Sequence, residues 1–300
     1  MSGATNLGPM TTPAFSPSPL PAPAVRLVHA TAVEDLTIPQ LGFGTYKVDD
    51  EEATRVVSQA LEVGYRHIDT AQMYGNEAGV GRALAASGLR RDDLFVTSKL
   101  NNPNHRRADA LRSFDETMER LGLEVLDLFL VHWPLARSRG IDLVETWETM
   151  GEILSTGRVR AVGVSNFEPK HLRRIIEATG LTPAVNQIEL HPYLRQDELR
   201  ALHTELGIVT ESWSPLGRAR VLDDPELARI AAELAVTPAQ VVIRWHLQHG
   251  LVVIPKTTHA QRMRTNADVF SFELDAEAMG AVDALHRGLR TGSHPDQMQL

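Results

Sequence analysis

Four polar residues close apolar runs and together could deliver a proton to a polarised carbonyl: Asp69, Tyr74, Lys99 and His132. Asp69 ends Tyr65-Arg66-His67-Ile68-Asp69. Lys99 ends Leu94-Phe95-Val96-Thr97-Ser98-Lys99, and His132 ends Leu126-Asp127-Leu128-Phe129-Leu130-Val131-His132. Tyr74 follows Asp69 across the short loop Thr70-Ala71-Gln72-Met73. A free phenol has a pKa of about 10 and is a weak acid at neutral pH. A neighbouring ammonium favours the phenolate, so Lys99 is expected to lower the pKa of Tyr74. In a dry pocket Lys99 would tend to lose its own charge unless a carboxylate held it, and Asp69 is the natural partner. His132 could then hydrogen-bond and orient a substrate carbonyl. The set amounts to a general acid with an electrostatic clamp on a developing alkoxide.

Each residue also has a plainer reading. Asp69 could cap its loop, Lys99 and Asp69 could form a structural ion pair, and His132 before Trp133-Pro134 could be structural. Their position on successive strand ends favours the joint functional reading. Rival chemistries fail simple checks. The tyrosines at 46, 65, 74 and 193 have no Lys four residues later. Gly163-Val164-Ser165-Asn166-Phe167 ends in Phe, so it is no nucleophile elbow. His-Glu-x-x-His and Gly-Lys-Ser/Thr are absent. Gly42-Phe43-Gly44 has Lys47 where a dinucleotide fingerprint needs Gly, which argues against an open doubly wound sheet. His67 and Asp69 could mimic a metal-ligand pair, but further ligands are not evident and no metal is expected.

From Leu41 onward, short strand-like runs alternate with helical stretches. Strands are expected over Leu41–Tyr46, His67–Asp69, Phe95–Leu100, Leu126–His132, Val159–Ser165, Ala184–Glu189, Ile208–Ser212 and Val252–Pro255. Helices are expected to start near Asp50, Glu77, Arg107, Leu143, Glu168, Gln196, Pro238 and His259. Eight such units match a closed α/β fold, the (β/α)8 TIM barrel, whose catalytic groups come from the carboxyl ends of several strands. Val25–Gln40 reads as an N-terminal β-hairpin turning near Glu34-Asp35. Two extra helices, Asp224–Leu234 and Asp275–Leu285, lie outside the repeat. Asp50 is expected to cap the first helix, ahead of Glu51 and Glu52. Thr237-Pro238 is an N-cap followed by Pro at the first helical position. Gly122 and Gly157 are expected to stop the helices before the fourth and fifth strands.

The chain of 300 residues is 43% hydrophobic, which supports a large core, and carries a net charge of −8. That charge favours neither nucleic acid nor an anionic membrane surface. With no cysteine, disulfides, thiolate catalysis and Cys-ligated metals are excluded, which fits a reducing compartment. No run is long enough to cross a bilayer, and Met1–Ala24 lacks the basic start of a secretory signal, so a cytoplasmic location is expected. Residues 1–24 read as a disordered Pro/Ala-rich tail, with Met10 as an alternative start, and 25–300 as a single barrel domain.

Gly64-Tyr65-Arg66-His67-Ile68-Asp69-Thr70-Ala71-Gln72-Met73-Tyr74-Gly75-Asn76-Glu77 resembles the signature of the aldo-keto reductase superfamily. Leu181–Pro192, Val162–Phe167 and Val253-Ile254-Pro255-Lys256 resemble further segments of it, and the likeness runs from about Ile38 to Leu285. The subgroup it resembles most is that of bacterial reductases similar to 2,5-diketo-D-gluconate reductase. The resemblance implies the tetrad Asp69, Tyr74, Lys99 and His132, and an NADP(H) cofactor. It puts the nicotinamide-amide contacts on Ser165, Asn166 and Gln187, and the stacking aromatic on Trp213. Gly44, Thr45, Ser214 and Leu216 are implied as further cofactor contacts, with Pro215 beside the pyrophosphate and Arg218 and Arg220 nearby. The adenosine end falls on Lys256, Thr257, Thr258, Arg262 and Asn266, and the Lys and Arg there suit a 2′-phosphate. Thr265 stands where many relatives have Glu, Thr257 replaces a frequent Ser, and His259-Ala260 replaces a common Thr-Pro. These departures bear on cofactor affinity.

The implied activity is NADPH-dependent reduction of aldehydes or ketones to alcohols, with Tyr74 as general acid. The alternative is an NADPH-binding regulatory or sensor subunit with incidental turnover, and a metal-dependent barrel hydrolase is a further rival. Tyr46, Met73, Trp133 and Asn101 are expected pocket walls from their strand-end positions. The loop after His132 is short and the tail from Arg287 is polar, which suits small aldehydes, α-keto esters or sugar-derived ketones. The partner is then a small carbonyl substrate, and since the family's small reductases are often monomers, a monomer is expected.

Overall fold

The computed structural model describes residues 18–29, 35–135 and 140–298. Its centre is a parallel sheet of eight strands: β3 (Phe43–Gly44), β4 (His67–Asp69), β5 (Phe95–Leu100), β6 (Leu126–Val131), β7 (Val159–Ser165), β8 (Val185–Glu189), β9 (Val209–Trp213) and β10 (Val252–Val253). The sheet closes on itself. Leu41 bridges Val253 in parallel, and Gly42 N and Gly44 N donate to Val253 O and Pro255 O at 2.9 and 3.2 Å. Every strand thereby gains two neighbours, and no edge is left open in this barrel.

The strands are apolar because both faces are covered. On β6, Leu128 and Leu130 face inward with Val185, Val209 and Val252, while Phe129 and Val131 join the outer layer under the helices. An antiparallel hairpin, β1 (Ala24–Arg26) with β2 (Thr37–Pro39), adds Leu27, Leu36 and Ile38 to the inner cluster and so plugs the amino-terminal end. Its expected turn at Glu34 lies outside the described residues. So do residues 1–17, which make up most of the expected tail and include Met10. Residues 18–24 depart from that expectation, since Leu20 N donates to Gly64 O at 3.0 Å and Ala24 opens β1.

The outer ring is α1 (Asp50–Val63), α2 (Glu77–Ala86), α3 (Arg107–Leu121), α4 (Leu143–Ser155), α5 (Pro169–Thr179), α6 (Asp197–Leu206), α8 (Pro238–Gln248) and α9 (Ala260–Ala267). The two additions are α7 (Pro225–Glu233) and α10 (Ala276–Asp283), at the places read from sequence. The Thr237 cap is present, as Gln240 N donates to Thr237 Oγ1 and Thr237 N to Gln240 Oε1. Gly122 ends α3 in the left-handed conformation (φ 65°), whereas α4 is capped by Thr156, with Gly157 one residue later. The expected cap on α1 is corrected. Asp49 is the N-cap, and Asp50 begins the helix and turns its carboxylate to α2, accepting from Gly79 N at 2.6 Å and Arg82 at 2.8 Å.

That cross-helix contact requires Gly79. A Cβ built there would collide with Asp50 O and with Ala53 Cβ. Alanine is better in a helix than glycine by about 1 kcal/mol, but overpacking a close contact costs about 1–3 kcal/mol. With a clash against backbone at the upper end of that cost, Gly79→Ala is expected to destabilise the protein by up to about 2 kcal/mol in urea unfolding. A gain in stability would show that α1 and α2 can separate freely.

Candidate active site

The strand register gathers the polar residues at one end of the barrel. Gly44 lies beside Asp69 and Asp69 beside Thr97. Ser165 pairs with Gln187, Gln187 with Glu211, and Glu189 with Trp213. Lys99 and His132 complete the ring from β5 and from just past the end of β6.

Lys99 is wholly buried. Its ammonium donates to Asp69 Oδ1 and Oδ2 at 2.6 and 2.7 Å and to Thr70 O at 2.9 Å, so all three N–H bonds have acceptors. Burial alone would depress its pKa. The charge of Asp69 and its hydrogen bonds, helped by Tyr74, overcome this and hold Lys99 above its ordinary value, so it stays cationic.

Tyr74 ends a 3-10 turn, Gln72–Tyr74, that is closed by Gly75 (φ 67°). The loop is pinned on both sides. Gln72 Nε2 donates to Ser113 O and Thr117 Oγ1 at 3.0 and 2.9 Å, and Gln72 Oε1 accepts from Asn101 N at 2.8 Å. Thr70 Oγ1 donates to Asn76 Oδ1, and Asn76 Nδ2 donates to Thr45 O and Val48 O. The phenol ring therefore sits 5.1 Å from Lys99 Nζ, and its centroid lies 5.7 Å from that of His132 and 5.1 Å from that of Tyr46. The expected acidification of Tyr74 is not found. Burial pushes its pKa up to about 12, and the pull of Lys99 offsets this only in part because Asp69 pushes the other way. Tyr74 is thus a neutral phenol at physiological pH. His132 is neutral as well, its pKa driven well below the usual value by burial and then by the charge of Lys99.

A second network supports the first. Ser165 Oγ donates to Gln187 O at 2.8 Å, and Asn166 Nδ2 donates to His132 O and Ser165 Oγ at 2.9 and 3.0 Å. Trp213 Nε1 donates to Asn166 Oδ1 at 2.8 Å, which fixes the indole. Asn166 has φ 65°, a left-handed conformation that Asn tolerates better than most residues. Beneath them Gln187 Nε2 donates to Asp69 Oδ2 at 2.8 Å and to Glu211 Oε2 at 3.0 Å. Burial, reinforced by the charge of Asp69, pushes the Glu211 carboxyl up to about 8.

These groups border a cleft of about 950 Å³. Gly44, Asp69, Tyr74, His132, Ser165, Asn166, Gln187 and Trp213 line its middle. Ser214, Pro215, Leu216, Arg218, Lys256, Thr257, Arg262, Thr265 and Asn266 also line it. Tyr46, Met73 and Trp133 line it too. Lys99 lies below the floor. Thr45 is buried behind it, donating Oγ1 to Asp69 O at 3.0 Å, so its place is structural. Thr258, Asn101 and Arg220 are not among the lining residues. Residues 136–139 of the loop after His132 lie outside the described residues. Among the described residues no group of three or more His, Asp or Glu is placed to hold a metal, and His67 faces Glu211 at 3.5 Å.

Sequence reading passed over Lys47, Ser293, Met298 and Glu211. Lys47 lines the cleft next to Tyr46, with its carbonyl accepting from Lys256 Nζ at 3.3 Å. Ser293 and Met298 come from the carboxyl-terminal segment, where Gly292 N donates to Glu189 Oε2 at 3.0 Å. No local pattern marks them. Glu211 did leave a signal, a lone acid inside the strand Val209–Trp213.

A dinucleotide fits this cleft by the chemistry of its lining. A Cβ on Gly44 would come within 3.2 Å of Ile254 O, so the wall there is bare backbone. Among the described residues Lys256, Arg262 and Arg218 form no ion pair with a carboxylate, although the whole chain carries −8. Unpaired cations at one end and an indole with amide groups at the other suit a phosphorylated ligand bearing a flat ring.

The Aldo/keto reductase family model matches residues 40–287. An aldo-keto reductase of Mycolicibacterium smegmatis is 48% identical over 259 residues, covering 86% of this chain and 94% of that protein. One of Mycobacterium tuberculosis is 46% identical over 265 residues, 88% of this chain and 93% of that protein. Among solved structures, a mutant of Gox0644 in complex with NADPH has a TM-score of 0.87 at 43% identity, covering 93% of this chain and 99% of that one. An aldo/keto reductase from Brucella melitensis has a TM-score of 0.82 at 42% identity, covering 88% and 99%.

The Lys99–Asp69 pair gives a stability prediction. Lys99→Met removes the cation that is bonded to the buried Asp69 carboxylate and should cost about 3–5 kcal/mol in chemical denaturation. A loss below about 1 kcal/mol, the worth of an exposed pair, would mean that water reaches Asp69.

Proposed function

This chain belongs to the aldo/keto reductase family, and on that premise we propose that it reduces aldehydes or ketones to alcohols with NADPH, with Tyr74 as the proton donor. The observation that carries this reading is the fully buried Lys99–Asp69 pair, bonded at 2.6 and 2.7 Å, with its ammonium 5.1 Å from the Tyr74 ring.

When bound, the cofactor supplies hydride to the carbonyl carbon. Ser165, Asn166 and Gln187 would hold its amide end, and Trp213 would cover one face of its ring. Gly44, Ser214, Leu216 and Arg218 would follow its phosphates, with Lys256, Thr257, Arg262 and Asn266 at the adenosine end. Thr45, also read from sequence as a contact, would support the wall from behind, and Thr258 lies outside the lining.

His132 is neutral, so it can offer one N–H to a carbonyl oxygen without placing a second cation beside Lys99. Tyr74 keeps its proton through neutral pH. An alkoxide is far more basic than a phenolate, even one with a pKa raised to about 12, so proton transfer to the product oxygen runs downhill. As the phenol loses its proton, the fixed ammonium of Lys99 stabilises the phenolate, and Asp69 keeps that ammonium charged. Tyr46, Met73 and Trp133 would form the substrate wall. Small aldehydes, α-keto esters and sugar-derived ketones are the proposed substrate classes.

Two substitutions test this reading. Tyr74→Phe should lower kcat for aldehyde reduction by at least about 10²-fold while NADPH affinity, measured by fluorescence titration, stays nearly unchanged. Normal turnover by the variant would remove Tyr74 from the role. Arg262→Ala should weaken NADPH binding by about 1.5–3 kcal/mol and NADH binding hardly at all. Equal losses for both would place Arg262 away from the 2′-phosphate.

A further inference from the structure

We propose that Glu211 is a proton-bearing positioning residue: as a neutral acid it locks the Gln187 amide with its oxygen toward the cleft, and on ionising it biases the site toward oxidised over reduced cofactor. The inference rests on the cofactor reading above.

Gln187 has two amide hydrogens. Nε2 gives them to Asp69 Oδ2 and Glu211 Oε2, on opposite sides. Both donors are used, so Oε1 is the hydrogen-bonding atom that the side chain has left to present to the cleft it lines. A rotated amide would set an oxygen lone pair against the Asp69 carboxylate and against Glu211 Oε2, the oxygen on the side away from His67. The orientation of Gln187 is therefore dictated by Asp69 and Glu211 together.

The charge balance of the barrel interior decides which of the two acids is ionised. The groups facing Glu211 are Asp69 and His67 from β4, Lys99 from β5 and Gln187 from β8, while β10 opposes it with Val252, and Thr97 Oγ1 of β5 lies 3.4 Å from the same His67 Nε2. His67 is neutral, with burial lowering its pKa to about 3. Lys99 is then the one cation among these groups, and its bonds go to Asp69 and Thr70 O. A second carboxylate at zero exposure would be an unpaired buried charge, a costly state that a carboxyl escapes by keeping its proton. Glu211 Oε1 has no conventional hydrogen-bond partner and lies 3.5 Å from His67 Nε2. A neutral imidazole has one bare nitrogen, and a carboxylic acid carries one O–H to point at it.

Losing that proton leaves Gln187 Nε2 between two negative charges and brings net negative charge beneath the nicotinamide site. The oxidised ring carries one more positive charge than the reduced ring, so ionised Glu211 favours NADP⁺ relative to NADPH. By reciprocity, bound NADP⁺ favours ionised Glu211.

The test uses wild type and Glu211→Gln. In the variant the amide oxygen still accepts from Gln187, and its NH₂ faces His67. The first readout needs no ligand. Infrared difference spectra between about pH 6 and about pH 10 should show a protonated-carboxyl band that wild type loses as pH rises and that Glu211→Gln lacks. The second is the ratio of NADPH to NADP⁺ dissociation constants over the same range. Titration of the 2′-phosphate is common to both ligands and cancels in the ratio. For wild type the ratio should move toward NADP⁺ by about three- to tenfold, which corresponds to a coupling of about half to one pK unit, and for Glu211→Gln it should stay flat. A purely structural role would weaken both ligands at every pH without changing this slope, and that result overturns the proposal. Absence of the wild-type band at neutral pH overturns it too, even if the variant does not fold. A wild type that leaves NADPH unoxidised when aldehydes or ketones are supplied would instead refute the carbonyl-reduction reading and leave the ligand-free spectrum standing.

Discussion

An ammonium held without water inside a closed sheet is the constraint on which the rest depends. Removing Lys99 and Asp69 from solvent costs several kcal/mol per ion, and their mutual attraction returns this only where geometry is good and every remaining hydrogen-bonding site is filled. Here the filling is visible. Lys99 has three acceptors, and Asp69 accepts from Lys99 on both oxygens and from Gln187 on one. A buried ion pair is weak evidence for stability, and an apolar pair of similar volume would serve the core as well. Its value lies at the barrel mouth, where a fixed positive charge meets a phenol in a medium that screens little.

The same dryness sets every other protonation state nearby. It keeps Tyr74 protonated, leaves His132 neutral, and raises Glu211 to the edge of the physiological range. These groups differ in chemistry but respond to one rule: in low dielectric each prefers its uncharged form unless a partner supplies the opposite charge. Lys99 and Asp69 supply it to each other. The outcome is a cleft floor with one ion pair and neutral donors and acceptors around it, an arrangement suited to charge that develops only in a transition state.

Rigidity comes from outside the reacting set. The loop that carries Tyr74 is tied to α3 through Gln72 and to the loop after β3 through Asn76. The indole of Trp213 is tied through Asn166 to the end of β6. The far end of the cleft is built differently, with exposed cations that no carboxylate among the described residues neutralises. A chain with net charge −8 thus attracts a phosphorylated ligand at one place and repels polyanions elsewhere.

Much of this was legible in the residues alone. Strands buried on both faces must be apolar, so Asp69, Lys99 and His132 stood out at their ends, and the alternation with helices implied the barrel. Among the lining residues, Ser165, Asn166, Gln187 and Lys256 were legible through ordered motifs. Asp50 was misplaced because Asp49 offers the same capping chemistry one residue earlier, and only packing against Gly79 distinguishes them. The direction of the Tyr74 shift could not be read, because it is a difference between burial and a nearby charge, and sequence identifies the charge without measuring the burial. Glu211 was overlooked for a related reason. Its meaning lies in Gln187, which bonds it and also reaches Asp69 across 118 residues of chain, and a link among groups so distant in sequence exists only once the sheet has closed.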